Sequence, residues 1–303
     1  MPTVGWIDYL NLLPLKAELQ TLLGVDFAGY YGHPAEVNER IRRGLVDVAP
    51  ASSVCLTEPA FFEMKLPLGV CGDGPVDSVT LTARDEAVYR RLTATHEAAC
   101  DRLADGPLAN VEQVRLKQGL AQEDSGEPLL TVYFTLASET SRALAKIIWQ
   151  LWFGRDPVRV DDPKAADVVL RIGDSALWAK EQSELHFDLG QLWKDLTGLP
   201  FVFAVWQGTP GAVLPPDFCQ LVLEAAKTAE EKMRLQPALY FDYLPVFDDR
   251  QKKVVADYWS RIHYSLHPMH MRALRLFLNL VAGADGAPQY PLRAPLRAQP
   301  ATV

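Results

Sequence analysis

Four short polar segments of this chain carry side chains that could bind an anion. Each follows an apolar, strand-like run, where a turn or a helical pattern begins: Asn11 before Pro14, the pair Ser52-Ser53, residues 73–78, and residues 138–141. Open α/β sheets bind ligands at such places, outside the carboxyl ends of their strands. Small hydroxyl and amide residues at helix starts leave backbone N–H groups free to hold carboxylates or phosphates. The set predicts a small anionic ligand.

The candidate ligand-binding residues are mostly hydroxyl or amide side chains from these segments, together with one glycine and one aspartate that follows a later strand. They are Asn11, Ser52, Ser53, Gly74, Ser78, Ser138, Thr140, Ser141 and Asp174. Each has a purely structural alternative. Asn11 could cap the helix that begins near Pro14, Ser138 could be an ordinary N-cap, and Asp174 could cap the helix that follows it.

The order of the predicted elements favours an α/β fold. Apolar runs at 4–7, 27–31 and 46–49 read as strands separated by helices, and 66–71 and 78–82 as further strands. Short connections of this kind predict a mostly parallel sheet with helices on both faces. Strands at 130–135, 168–172 and 201–206, with a helix at 140–152, indicate a second α/β unit, and helical patterns fill 215–235 and 249–282.

The chain is predicted to cross between two lobes twice, near residues 82 and 205. The first lobe would then comprise residues 1–82 and 206–303, and the second residues 83–205, with the ligand in the cleft between them. Residues 84–129, rich in Ala, Arg, Glu and Asp, carry a helical pattern and end in a polar loop.

Composition excludes several classes of function. A net charge of −8 and a pI of about 5.3 argue against a nucleic-acid partner. The Cys55, Cys71, Cys100 and Cys219 spacings fit reduced thiols and not a zinc site or disulfide framework. Without an apolar run of membrane-spanning length or a signal sequence, a cytoplasmic protein with no membrane partner is expected.

Cofactor motifs are also missing from the sequence. Neither a dinucleotide-binding nor a phosphate-binding glycine motif occurs, so no nucleotide cofactor is predicted. His263, His267 and His270 are close in sequence, but Pro268 lies among them and no carboxylate is fixed nearby, so a metal site is not predicted. The expected chemistry uses no cofactor.

The polar segments occur in an order that resembles the chorismate dehydratase family of the futalosine route to menaquinone. The matching segments are residues 11–14, 48–53, 73–79, 138–141, 172–174 and 188–204. The resemblance covers most of residues 4–282 and implies a two-lobed type II periplasmic-binding-protein fold with mixed sheets. Residues 84–129 are longer than the family usually has between these strands.

The resemblance also implies a reaction and roles for residues. Chorismate would lose water to give 3-[(1-carboxyvinyl)oxy]benzoate, and the ring would become aromatic. Asn11 and Ser78 are the implied catalytic residues, which orient the substrate and help the hydroxyl leave. No residue in the motifs is an obvious base, so the substrate's own enolpyruvyl carboxylate is the expected proton acceptor.

Two other functions stay open at the level of the sequence. The sister lyase, which acts on cyclic dehypoxanthinyl futalosine, shares the fold but is expected to use a histidine base, and residues 97–185 contain no histidine. A protein that only binds a small dicarboxylate is the other alternative, because fold alone does not imply catalysis. A homodimer is compatible with either.

Overall fold

The structure is a computed structural model that describes residues 1–24, 28–102, 128–182 and 185–284. Up to residue 101 the elements alternate between strands and helices, with one short 3₁₀ helix at Ser53–Thr57. They are β1 Val4–Ile7, α1 Leu13–Leu23, β2 Ala28–Gly32, α2 Pro34–Arg42, β3 Ala49–Ser52, β4 Glu63–Gly72, β5 Val79–Ala83 and α3 Glu86–Asp101.

The remaining elements begin after residue 127. They are β6 Thr131–Phe134, α4 Glu139–Phe153, β7 Val158–Arg159, β8 Val168–Ile172, α5 Asp174–Lys180, β9 His186–Asp188, α6 Leu189–Thr197, β10 Phe201–Gly208, α7 Pro216–Leu235, a 3₁₀ helix Pro237–Tyr243, α8 Asp249–Trp259, β11 Ile262–Ser265 and α9 Pro268–Ala284. The predicted polar loop at 122–127 and residues 285–303 lie outside the described residues.

The strands form one four-stranded sheet, one five-stranded sheet and a parallel pair. The four-stranded sheet has the order β11-β4-β10-β3, the five-stranded sheet the order β7-β6-β8-β5-β9, and β1 pairs with β2. Helices α7 and α9 contact strands of the four-stranded sheet, and α1 packs on α7. Helices α3, α4 and α6 contact one another beside the five-stranded sheet. The mixed α/β architecture predicted from the sequence is confirmed.

The predicted parallel arrangement holds only in places. β1 and β2 are parallel, and an isolated parallel bridge joins Val4 to Val48, but every pair in the four-stranded sheet is antiparallel. The prediction was wrong there because β4 pairs with β10 and β11, which come more than a hundred residues later in the chain. In the five-stranded sheet β6, β7 and β8 are parallel, whereas β5 is antiparallel to both its neighbours.

The two crossings between the sheets lie earlier in the chain than the predicted boundaries. Residue 82 is inside β5, which belongs to the five-stranded sheet, and residue 205 is inside β10, which belongs to the four-stranded sheet. The connections run instead through residues 73–78 and 198–200. Both predicted boundaries therefore fall inside the strand that follows the crossing, β5 in the first case and β10 in the second.

The helix predicted over 249–282 is interrupted. Strand β11, at Ile262–Ser265, separates α8 from α9 and pairs with β4 at the edge of the four-stranded sheet. Its four residues alternate between buried and more exposed positions, a short pattern that is easily lost beside two long amphipathic helices.

Large aromatic side chains fill the interior around the four-stranded sheet. Trp6 and Trp206 are fully buried and meet edge to face, with ring centroids 6.1 Å apart. Trp193 packs in the same way against Phe201 at 5.3 Å and donates to the carbonyl of Pro200 at 3.1 Å. Within the described residues, no helix combines the length and the apolar character that crossing a bilayer requires.

Candidate functional site

A cleft between the sheets is lined by residues from both sheets and from the turn after β1, and its space of about 590 Å³ includes a part that is open to solvent. Val70 and Phe203 come from the four-stranded sheet, and Val79 and Ile172 from the five-stranded one. The wall is largely apolar, so its few polar groups would determine how a ligand is oriented.

Five of the predicted residues lie in the wall of this cleft. They are Asn11, Ser52, Ser78, Ser138 and Ser141. Three come from loops and strand ends near the four-stranded sheet or the crossing, and two from the start of α4. The structure therefore brings together residues that are up to 130 positions apart in the sequence.

Ser53 and Thr140 are placed differently, beside the cleft and in contact with each other. Ser53 Oγ donates to the carbonyl of Val202 at 2.7 Å and lies 3.3 Å from Thr140 Oγ1, which accepts from the N–H of Val54 at 3.2 Å. Both hydroxyls are thus used within the protein. They join the 3₁₀ helix after β3 to the first turn of α4.

Gly74 and Asp174 are also absent from the wall of the cleft. Gly74 has a φ of 108°, a left-handed conformation that favours glycine in the turn after β4. Asp174 is the first residue of α5, and its Oδ1 accepts from the N–H of Leu10 at 3.1 Å. Burial raises the pKa of Asp174 to about 6. Asp174 therefore holds the turn that carries Asn11.

Two polar atoms in the wall are buried without a hydrogen-bond partner among the described residues. They are Asn11 Oδ1 and Ser52 Oγ. The backbone N–H of Ser52 is held by Asn38 Oδ1 at 3.1 Å, so the backbone is fixed while the hydroxyl is not used. Buried polar groups are nearly always paired. These two atoms are therefore the best candidates for direct contact with a ligand.

The N-terminus of α4 forms one side of the cleft. Ser138 is its N-cap, and Ser138 Oγ accepts from the N–H of Ser141 at 3.2 Å and lies 2.9 Å from Ser141 Oγ. The first N–H groups of a helix have no intrahelical acceptor and carry a partial positive charge. A carboxylate in the cleft would be stabilised at this end of α4.

Tyr9 is a cleft residue that the sequence analysis missed. Its phenol lies 3.2 Å from His33 Nδ1, and its ring lies so close to Gly173 that a Cβ there would be 2.9 Å from ring carbons. Burial, then the charges of Asp174 and Glu36, raise the pKa of Tyr9 to about 12, so the phenol is protonated at neutral pH. Its position two residues before Asn11, at the end of β1, was the available signal.

The connection from β4 to β5, which carries Ser78, is held by Asp188. The Asp188 carboxylate accepts from the N–H groups of Val76 at 3.0 Å and Asp77 at 2.6 Å, and it also caps α6 through Gln191 N at 3.0 Å. Asp77 has a φ of 60°, and its carboxylate pairs with Lys180 and Arg261. Ser78 is therefore presented to the cleft by a tightly bonded segment.

A second missed residue, Tyr258, lies behind Ser78. It is in α8, and its Oη donates to Ser78 Oγ at 2.9 Å. The same helix end contributes Trp259, whose Nε1 donates to the carbonyl of Leu10 at 2.7 Å. Tyr258 stands 180 positions from Ser78 in an amphipathic helix, and nothing in the local sequence distinguishes it from an ordinary core tyrosine.

One cluster outside the cleft has side chains of the metal-binding type. A ligand atom of Cys55, Glu58 and Glu139 lies within 4.8 Å of each of the others. Arg42 donates to both carboxylates, to Glu58 at 2.8 Å and Glu139 at 2.7 Å. The guanidinium bonds to both carboxylates and balances one of their two negative charges, so the group is best described as an ion-pair cluster.

A comparison with protein families gives one match over almost the whole chain. The model of a family described as menaquinone biosynthesis matches residues 2–101 and 110–283.

Solved structures with a similar fold have low sequence identity. The alkanesulfonate-binding protein SsuA from Xanthomonas axonopodis pv. citri, bound to MOPS, has a TM-score of 0.59 at 13% identity and covers 96% of this chain and 95% of its own. The periplasmic aliphatic sulphonate binding protein SsuA from Escherichia coli has a TM-score of 0.56 at 14% identity, over 95% and 93%. A Candida albicans gene product with the generic periplasmic binding protein fold has a TM-score of 0.55 at 8% identity, over 97% and 98%. The periplasmic-binding-protein-like fold expected from the sequence is confirmed.

Proposed function

The chain belongs to the menaquinone biosynthesis family, and from this premise we propose that it is a chorismate dehydratase. The reaction removes water from chorismate and gives 3-[(1-carboxyvinyl)oxy]benzoate. The hydroxyl and the hydrogen on the neighbouring ring carbon leave, and aromatisation makes the elimination strongly favourable. The protein would then have to bind two carboxylates, orient the hydroxyl and exclude water.

The observation that supports this proposal most is the pair of unpartnered polar atoms in an otherwise apolar cleft. Asn11 Oδ1 and Ser52 Oγ are buried, unpaired within the described part of the chain, and in the wall of one cleft. An apolar wall suits a cyclohexadiene ring, and a few fixed polar groups suit its hydroxyl and carboxylates. Asn11 is one of the two residues to which the family resemblance assigns catalysis.

The charge of the cleft is consistent with an elimination that needs no strong protein base. Among the described residues that line its wall, none is an aspartate, glutamate, histidine, lysine or arginine. Tyr9, the titratable residue there, has its pKa raised to about 12 and is a donor at neutral pH. The proton of the ring carbon would then pass to the enolpyruvyl carboxylate of the substrate itself and from there to the departing hydroxide, which leaves as water, while Asn11 and Ser78 bind the departing group.

The substrate carboxylates need donors in place of cations. We assign one carboxylate to the N-terminus of α4, with Ser138 and Ser141, and place Ser52 near the other. Backbone N–H groups and hydroxyls in a water-excluded cleft bind anions well without a formal positive charge. Four other residues were predicted to bind substrate but do not line the cleft, and they would hold the lining groups in position: Ser53, Gly74, Thr140 and Asp174.

Replacing the two residues with assigned catalytic roles tests the proposal. Asn11→Ala and Ser78→Ala should each lower kcat for chorismate by roughly 100-fold or more, because oriented donors and acceptors at the reacting atoms are lost. Ser260→Ala, which removes a surface hydroxyl bonded to the carbonyl of Asp257, is the matched control and should keep normal kcat. Full turnover of chorismate by both Asn11→Ala and Ser78→Ala would contradict the catalytic roles proposed for these two residues.

A protein that only binds a small dicarboxylate is the second candidate. The feature that favours this binding-only alternative is that the described residues of the cleft wall include no charged base. Thermal stabilisation by chorismate without loss of chorismate from solution would establish this alternative. The sister lyase is less well supported, because no histidine lies in the wall of the cleft.

A further inference from the structure

Ser78 lies in hydrogen-bond contact with one buried phenol. Tyr258, in α8, is 1% exposed, and its Oη donates to Ser78 Oγ at 2.9 Å. One side chain from the C-terminal part of the chain therefore touches one of the two residues to which the proposed function assigns catalysis.

The hydrogen bond to Tyr258 determines what Ser78 can do in the cleft. The phenol has a single hydrogen, and it is donated to Ser78 Oγ. Ser78 Oγ thus already accepts one bond, and its own hydrogen has no acceptor among the hydrogen bonds of the described residues. That hydrogen is available to a ligand oxygen, so Ser78 is presented as a donor.

Asn11 is held in a different way. Its carbonyl accepts from Tyr264 Oη at 2.7 Å, which fixes its backbone. Its side-chain Oδ1 is buried and without a partner in the described structure, so this oxygen is left to accept from a ligand hydroxyl.

The phenol keeps this arrangement at any physiological pH. Burial raises the pKa of Tyr258 well above its ordinary value. The hydroxyl therefore stays protonated and keeps donating to Ser78. Tyr258 itself is not in the wall of the cleft, so a ligand would not displace it.

From this geometry we propose that Tyr258 is a positioning residue that fixes the hydrogen-bond direction of Ser78, so that Ser78 acts as a donor to the ligand. The role rests on the proposed function, because it concerns the same reaction. During the elimination Ser78 would donate to a substrate oxygen, and its hydroxyl would be oriented before substrate enters.

The test is a double-mutant cycle between Tyr258→Phe and Ser78→Ala, which removes only the two hydroxyls. Tyr240→Phe is the matched control, since Tyr240 is another buried tyrosine whose hydroxyl donates instead to Glu18, at 2.8 Å. Two quantities are measured on each variant: the urea midpoint of the free protein, and kcat and KM for chorismate. The midpoint reports the hydrogen bond without any substrate.

We expect Tyr258→Phe to lower kcat by about tenfold with a smaller change in KM, and to cause no further loss of kcat in the Ser78→Ala background. The midpoint shifts should likewise be less than additive, and Tyr240→Phe should keep normal kcat. A normal kcat in Tyr258→Phe, or additive losses in the double variant, would overturn the positioning role while leaving the dehydratase standing. No turnover by the wild-type protein would instead remove the proposed function, and this role with it.

Discussion

Arg42 donates two hydrogen bonds to the carboxylate of Glu139, from Nη1 to Oε1 at 3.1 Å and from Nη2 to Oε2 at 2.7 Å. Arg42 is the last residue of α2, and Glu139 is the first of α4. Asn38 adds a bond to Glu139 at 3.0 Å and also holds the backbone of Ser52. Through Asn38, the Arg42–Glu139 pair therefore connects the start of α4, on one side of the cleft, to the end of β3, on the other.

Removing the charge of Glu139 should destabilise the protein in a pH-dependent way. Burial opposes its ionisation, but the hydrogen bonds from Arg42 and Asn38 outweigh this and hold the pKa of Glu139 below its ordinary value. The pair therefore contributes stability above about pH 4.5 that is lost as pH falls through the lowered pKa. Glu139→Gln should lose about 1–3 kcal/mol of unfolding free energy at neutral pH.

Urea denaturation at about pH 7 and pH 4 checks this expectation. The loss of unfolding free energy caused by Glu139→Gln, relative to the wild type, should be smaller at about pH 4 than at about pH 7. Glu39→Gln, which removes an exposed partner of Arg43 and a longer ion pair of 3.9 Å with Arg42, is the control and should change stability by less than about 0.5 kcal/mol. An equal deficit at both pH values would contradict the account of this ion pair.

Asp174 should show the opposite dependence on pH. Its pKa is raised by burial to about 6 from an ordinary 3.8, so the ionised form is disfavoured in the folded protein. As pH falls through 6, the folded state binds the proton first and this group gains stability, until the unfolded chain is protonated too. Asp174→Asn keeps an acceptor for the N–H of Leu10 and removes the charge.

We therefore expect Asp174→Asn to be more stable than the wild type at about pH 7.5. The advantage should be about 1–2 kcal/mol after allowance for solvent screening, since one pKa unit corresponds to about 1.4 kcal/mol. This stability advantage should be smaller at about pH 5. Urea midpoints of the variant and the wild type at about pH 7.5 and about pH 5 measure the advantage. An Asp174→Asn protein that is less stable than the wild type at about pH 7.5 would show that the carboxylate charge itself is needed.

The adjacent serines at 52 and 53 should behave differently when each is replaced by alanine. Ser52 Oγ is buried without a partner among the described residues, whereas Ser53 Oγ donates to the carbonyl of Val202 at 2.7 Å. Ser52→Ala should leave the free protein as stable as before but weaken chorismate binding by about tenfold. Ser53→Ala should cost about 1–2 kcal/mol of stability.

Calorimetric binding and thermal unfolding of the two serine variants make the comparison. Since the proteins differ by one position in the same turn, any general disturbance of the turn should affect both. Normal binding by Ser52→Ala would show that its hydroxyl does not meet the ligand.

Gly173→Ala should damage both folding and binding. Gly173 has a φ of 64°, and a Cβ would lie 2.9 Å from Cε2 of the Tyr9 ring. Gly24 has a similar φ of 68° and nothing within 4 Å, but its ψ is 6° where that of Gly173 is −152°, so Gly24→Ala is a control for the positive φ only. We expect about 1 kcal/mol of destabilisation in the control and at least about 2 kcal/mol in Gly173→Ala. Thermal unfolding with and without chorismate measures both effects, and equal behaviour of the variants would contradict the Tyr9 contact.

Local signals were enough to predict the elements that surround the cleft. The strand Val168–Ile172 was predicted with its observed ends, and the start of α4, predicted at residue 140, is observed one residue earlier, at Glu139, after the Ser138 cap. Asn11 and Ser78 could be connected because each belongs to a motif of the resembled family. Their joint position in one cleft follows from strand ends that meet between the two sheets.

The remaining features depend on long-range contacts that have no local pattern. Tyr258 reaches Ser78 across 180 positions, and β11 becomes a strand by pairing with β4 at the sheet edge. Ser53 and Thr140 carry the same hydroxyl groups as their neighbours Ser52 and Ser141, yet they turn toward the protein. Only the packing of α4 against the 3₁₀ helix decides which hydroxyl faces the cleft.

The most direct test of the central claim is incubation of the purified protein with chorismate, without added metal or nucleotide, followed by liquid chromatography with mass detection. We predict loss of one water and the absorbance of an aromatic product, at a rate sharply reduced in Asn11→Ala and Ser78→Ala. Chorismate that remains unchanged beside a folded wild-type protein would contradict the dehydratase. Thermal stabilisation by chorismate in that same sample would point to binding alone.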